Sequence, residues 1–293
     1  MRVFNLAETS SYDLSVPQNG GDDFFINTMS STNRISSSRI ENGIQHSEVM
    51  DSDGNIVLIP VTGYVEDFSS LPSEVRSRFG HSLLSLAPGS SFASHFGNAM
   101  LLPSSSGNPH SRFRLLAGLT DPPETHCYDG FIGYASLPSD ALRFSGRISI
   151  MAPPGQSLVT RVATQTDYTR NEFGIARQGE SDMIPTEVFD DWYSEVMAIA
   201  QVEEKEALDS MDWSGYIHLL PSIKYSVLGS DSSSEVVAEI VLEPIDFIQL
   251  LPLGANVKLS PTTHTPTIGL NTLKHVGVFI DYEQSRIGFC EPI

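Results

Sequence analysis

"TIGLNTLKHVGVFIDYEQSRIGFCEP", residues 267–292, is the stretch on which the fold turns. Its apolar runs are short and are separated by Gly and by polar residues, the punctuation of strands and turns. Two preceding stretches, "YIHLLPSIKYSVLG" (216–229) and "SSSEVVAEIVLEPIDFIQLLPLG" (232–254), read as strand-rich in the same way. Further upstream "FFI" (24–26), "NIVLIPV" (55–61), "RFRLLAGL" (112–119), "FIGYA" (131–135) and "RISIMA" (147–152) continue the pattern. One segment breaks it. "PTEVFDDWYSEVMAIAQVEEKEALDS" (185–210) opens on Pro185 and Thr186 and sets Val188, Phe189, Trp192, Val196, Ile199 and Ala200 at helical spacings, which predicts a helix docked on a sheet. Ser-rich stretches at 30–38, 69–73, 104–106 and 230–234 read as loops, with 104–112 expected to move. No short-period repeat is present.

The 293 residues, 40% of them hydrophobic, suffice for one large or two medium cores, and two lobes are expected. Acidic side chains number 36 against 17 basic ones, and the net charge of -19 repels phosphate backbones and anionic lipid. Nucleic acid and membrane are therefore not expected as partners. No run of about 18 apolar residues is present to span a bilayer, and the opening "MRVFNLAETSSYDLS" lacks the apolar core of a leader peptide. There is no Asn-X-Ser/Thr acceptor either. The compartment stays open: cytoplasmic for the chain as written, secretory if an N-terminal exon is missing. Two cysteines, Cys127 and Cys290, form neither a disulfide framework nor a zinc cluster by spacing, and whether they pair is open at this stage.

Familiar reactive constellations are absent. The chain has no Gly-X-Ser-X-Gly elbow, no HExxH, no P-loop and no GxGxxG after a strand. Its eight histidines are scattered. "MDSDGN" (50–55) looks like half a calcium loop, but Thr62 stands where the twelfth-position Glu would be, so a polar turn is expected there. No cofactor and no metal are expected.

The closing stretch resembles, without a gap, the end of the pepsin-like aspartic peptidases, family A1. Ile268 and Gly269 stand for the hydrophobic-Gly pair and Thr272, Leu273 and Lys274 for a Phe-Leu-Arg-like triplet. Ile280 and Asp281 stand for the strand end, and Arg286, Ile287, Gly288 and Phe289 for the final Arg-Ile-Gly-Phe. "CYDGFIGYASLPS" (127–139) is similar to the first-lobe Phe-Asp-Gly-Ile-Leu-Gly-Leu-Ala segment through Asp129, Gly130, Gly133 and Ala135. In the second lobe, "FGIARQGESDMIPTEVFDDWYSEV" (173–196) resembles the segment that runs from Asp-Ser-Gly through Pro into a helix. "LPSIKYSVLG" and "VVAEIVLEPIDFI" resemble its later strands.

The resemblance implies a mostly β, bilobal pepsin-like fold with a shortened second lobe, the lobes spanning 1–145 and 146–293. Each lobe should carry one catalytic Asp. Aligned on these motifs, "FFINTMSST" puts Asn27 at the first aspartate and Met29 at the glycine. The second triad falls on Ala176, Arg177 and Gln178. The spacing from triad to hydrophobic-Gly strand is 106 positions in one lobe and 93 in the other. Only 43 positions separate Gly133 from Ala176, fewer than the family has there, and "ALRFSGRISIM" (141–151) is read as the remnant of the crossing strand. "PVTGYVEDF" (60–68) resembles the flap through Thr62 and Gly63, with Pro60 at the tyrosine.

Such a peptidase needs two carboxylates sharing a proton, one acting as base on a water and the other, protonated, polarising the scissile carbonyl. Asn27 cannot take up a proton in the working pH range, Ala176 has no polar side-chain atom, and Arg177 adds a permanent cation. The resemblance therefore implies a pseudoprotease with no catalytic residues. It is expected to act as a monomer that holds a peptide or protein in a cleft by strand-like pairing, with Asn27, Ser30, Thr62, Gly63, Ala176 and Arg177 as groove positions. Plant xylanase-inhibitor proteins, which resemble this fold yet bind, supply an analogy at fold level. Two alternatives remain: an acid endopeptidase using Asp22, Asp23 or Asp182 as atypical carboxylates, and a decayed gene product.

Overall fold

In a computed structural model the described residues are 2–6, 35–41, 44–50, 55–60, 86, 88, 93, 96–103, 113–137, 142–160, 168–175, 182–203, 213–230, 235–252, 254–263 and 265–293. They are mostly β. In chain order the strands begin with β1 (Arg2–Leu6), β2 (Ile35–Glu41), β3 (Ile44–Met50), β4 (Ile56–Pro60), β5 (Ala99–Pro103), β6 (Phe113–Ala117), β7 (Gly133–Ser136), β8 (Arg143–Met151), β9 (Tyr168–Ile175) and β10 (Asp182–Pro185). Helix α1 (Thr186–Ala200) follows, then β11 (Ser222–Leu228), β12 (Val236–Leu242), α2 (Pro244–Phe247), β13 (Ile248–Leu250), β14 (Ala255–Val257), β15 (Leu259–Thr262) and β16 (Thr267–Ile268). The chain closes with α3 (Leu270–Leu273), β17 (Gly277–Asp281) and β18 (Arg286–Cys290).

The chain divides into two compact units, one of residues 1–143, 174–179 and 273–293 and the other of 144–173 and 180–272. The expected boundary at 145/146 runs in chain order, whereas residues 273–293 group with the first unit. Backbone pairing is the reason: β17 lies against β5 through Val278↔Leu101, and β18 lies against β7 through Ile287↔Ala135.

The first unit is organised around a six-stranded sheet in the order β1-β6-β5-β17-β18-β7, beside a three-stranded meander β2-β3-β4. All pairings in the six-stranded sheet are antiparallel. Apolar side chains of its central strands, including Met100, Leu102, Leu116 and Phe279, close on Ile132 and on the two cysteines. Cys127 and Cys290 are joined in a disulfide across 163 positions, which answers the question their spacing left open. The hairpin of β17 and β18 is locked at its turn: Asp281 is buried, accepts the Gln284 N–H and pairs with Arg286 Nε at 2.9 Å. The same guanidinium lies 3.8 Å over the ring of Tyr134, a stacking that Lys would not reproduce. Tyr282, next in the turn, donates its hydroxyl to the Leu86 carbonyl at 2.8 Å. At Gly288 a Cβ would stand 2.4 Å from Ile132 Cγ2, so the "RIGF" glycine is there because β7 and its approach close over it.

The second unit holds a seven-stranded sheet in the order β12-β11-β8-β9-β16-β10-β15, plus the β13-β14 hairpin. β10 and β15 run parallel. The predicted helix forms but is shorter than its polar tail suggested, ending where Gln201 turns left-handed at φ 57°. Val188, Phe189, Trp192 and Val196 are buried as their spacing required, and Trp192 donates its indole N–H to the Pro221 carbonyl at 2.9 Å. The 232–254 stretch is not strand throughout. Pro244 opens a helical turn, and the Asp246 carboxylate accepts the Glu243 N–H at 3.0 Å, a local bond that competes with a ladder.

Removing the disulfide by the double substitution Cys127→Ser, Cys290→Ser should cost roughly 2–5 kcal/mol, because a long loop is released in the unfolded chain. Urea melts of the variant and of reduced wild type should shift by similar amounts. Coincident melts of oxidised and reduced protein would show that the bridge carries no stability.

Candidate functional site

The groove positions expected from sequence, Asn27, Ser30, Thr62, Gly63, Ala176 and Arg177, lie outside the described residues, as do Met29, Gln178, Asp22 and Asp23. Of the carboxylates considered as substitutes for a dyad, Asp182 alone is described.

Asp182 opens β10, which is threaded between two neighbours. It runs parallel to β15, with Asp182 opposite Leu259, and Met183 sits opposite Thr267 of β16. Its backbone N–H reaches the Lys258 carbonyl at 3.1 Å. The carboxylate is fully buried at 0% exposure. One oxygen accepts the N–H of Gly269, and the other accepts the Thr272 hydroxyl at 3.0 Å. Gly269 follows β16 directly and Thr272 lies in α3, so this one side chain fixes the strand-to-helix turn to β10. Asn271 reinforces the turn by donating its amide to the Lys258 carbonyl at 3.3 Å. Gly269 and Thr272 are both residues that carried the resemblance described above.

Above this turn stands Tyr225 of β11, fully enclosed. Burial raises its phenol well above 10, the neighbouring Asp182 charge raises it further, and the Thr272 hydroxyl opposes them. Tyr225, Thr272 and Asp182 thus form a polar cluster inside an apolar sheet. Such clusters stabilise when satisfied and are costly when half satisfied. With no exposed surface, Asp182 cannot meet a substrate carbonyl or an attacking water. Its geometry is that of a positioning anchor rather than of an acid or base.

Another buried carboxylate of the second unit, Glu195, has no counterpart among the candidates read from the sequence. Glu195 lies on the apolar face of α1, accepting the Val159 and Thr160 N–H groups and the Thr160 hydroxyl, the last at 2.7 Å. The available signal was its register, three positions after Trp192 and seven after Val188, where an acid has no reason to sit unless it meets donors. Among the described residues no group of three or more His, Cys, Asp or Glu side chains is arranged to hold a metal ion. No protein-family model matches this chain, and no curated protein matches it.

Asp182→Ala should lower stability by about 2–5 kcal/mol, since it strands the buried Gly269 and Thr272 donors, while Asp182→Asn should lose less. Denaturant melts order the two, and an Ala variant as stable as wild type would remove the anchor role. Tyr225 and Tyr282 are both raised, chiefly by burial. A raised phenol keeps its proton in the folded state after the unfolded chain has released it, so their contribution is full below about pH 10 and falls as pH rises beyond it. Urea midpoints followed from pH 8 to 11 should drop only at the alkaline end, and Tyr225→Phe should shallow that drop.

Proposed function

We propose that this protein is a two-lobed, pepsin-like pseudoprotease that holds an extended peptide or partner segment by strand-like pairing and does not cut it. One observation carries the reading: the A1-like motifs occur in family order in both halves while Asn27 and Ala176 stand at the aspartate positions. Without two titratable carboxylates there is no shared proton and no activated water. The architecture of the closing segment supports the proposal. Gly269 is pinned beneath β10 by Asp182, and the "RIGF" strand β18 pairs with β7 of the "FIGYA" segment. The Cys127–Cys290 bridge favours maturation in an oxidising compartment over the cytosol.

The competing reading, an acid endopeptidase with an atypical dyad, is weakened by the enclosure of Asp182 and rests on Asp22 and Asp23.

The deciding experiment is incubation of the purified chain with a denatured peptide library from about pH 3 to 7, with and without a statine-type inhibitor. No new termini are expected at any pH from a sample that melts cooperatively. Inhibitor-sensitive cleavage would overturn the proposal, and a non-cooperative melt would favour a decayed product.

A further inference from the structure

The disulfide does more than close a loop; it holds a small surface in place. Residues 126–128 and 291–293 pair antiparallel, with Ile293 N–H on the His126 carbonyl at 3.2 Å, Tyr128 N–H on the Glu291 carbonyl at 2.8 Å and Cys127 bridged to Pro292. Side chains alternate along such a pairing. Cys127 turns inward to Cys290 and the core, which puts Tyr128 and Ile293 on the opposite face. Both are 74% exposed. The chain then makes a tight turn: Gly130, at φ 69°, donates to the Cys127 carbonyl at 3.1 Å, and Asp129 accepts the Phe131 N–H at 2.9 Å. Phe131 emerges from it 59% exposed.

Single exposed apolar residues need no explanation. Here two aromatics flank one turn and an isoleucine lies on the segment paired with it, and the backbone is clamped by a disulfide, two cross-segment bonds and an Asx turn. Rigid exposed aromatics are what a binding hot spot requires, because little ordering remains to be done on association. The surrounding charge selects the partner. Asp129 lies in the turn and Glu291 stands opposite Tyr128, residues 120–131 and 290–293 contain no Lys or Arg, and Arg286, across Tyr134 from Glu124, is already paired with Asp281. A second copy would bring the same acids to the contact, and anionic lipid would be repelled.

We propose that this clamped turn, through exposed Tyr128 and Phe131 with Ile293 on the paired segment beside it, docks a protein partner that offers an apolar pocket rimmed by Lys and Arg. This surface is independent of the pepsin-like reading and stands if that reading fails.

The test uses the full oxidised chain and synthetic amphipathic peptides with a Leu and Met face flanked by Lys and Arg, alongside counterparts with Glu at every basic position. Fluorescence anisotropy should show the basic peptides binding, more weakly as salt rises, and the Glu set not binding. Tyr128→Ser with Phe131→Ser, checked for an unchanged melt, should weaken binding at least about tenfold. The proposal is overturned if basic and acidic peptides behave alike, or if the double variant binds as well as wild type. It is equally overturned if the same substitutions abolish self-association in sedimentation, or binding to phosphatidylcholine vesicles, since the occupant would then be a second copy or a lipid.

Discussion

The pairing of the β17–β18 hairpin into the sheet of the first unit is the constraint from which that unit follows. β17 takes its place against β5 and β18 against β7, so the last strands of the chain are interior members of a sheet otherwise built from residues 2–136. Contacts of that sequence separation cost loop-closure entropy before they return any burial. What repays it is concentrated in a few residues. Asp281 holds both the turn backbone and Arg286, Arg286 covers Tyr134, and Gly288 lets Ile132 come within van der Waals reach of the strand. The disulfide then makes the long closure permanent, worth about 5 kcal/mol in the chain-entropy account of a loop this size.

The second unit solves a related problem with buried carboxylates. A charge inside a sheet is costly unless its oxygens are met by donors. Asp182 is met by an amide from the turn after β16 and a hydroxyl from α3, and Glu195 by the 159–160 turn. Each carboxylate fastens a turn by accepting its donors. Their placement also bears on function, because a carboxylate whose oxygens are occupied by protein donors is a fastening and not a reagent.

Much of this was legible in the sequence. Short apolar runs bounded by Gly, Pro and Ser located β4, β6, β7, β8 and β11, and the i, i+4 spacing from Val188 to Trp192 to Val196 located α1. These signals are local, set by side-chain period and backbone preference. The error at Pro244–Phe247 has the same origin: four residues are too few for a helical period to show, and the bond from the Glu243 N–H to the Asp246 carboxylate favours the helical turn. The groove expected around Asn27 and Ala176 falls on residues outside those described.

By itself the sequence determined the mostly β class, the helix, the excess of acidic over basic side chains and the lack of a paired-aspartate motif. All of these are properties of single residues or of near neighbours. Tertiary structure alone decided that Cys127 and Cys290 meet, that 273–293 belongs with the first unit, that Asp182 is an anchor, and that Tyr128 and Ile293 stand exposed on two paired segments. The physical reason is separation along the chain. A bond across 163 positions depends on which strands pair and in what register, and no residue carries that information alone.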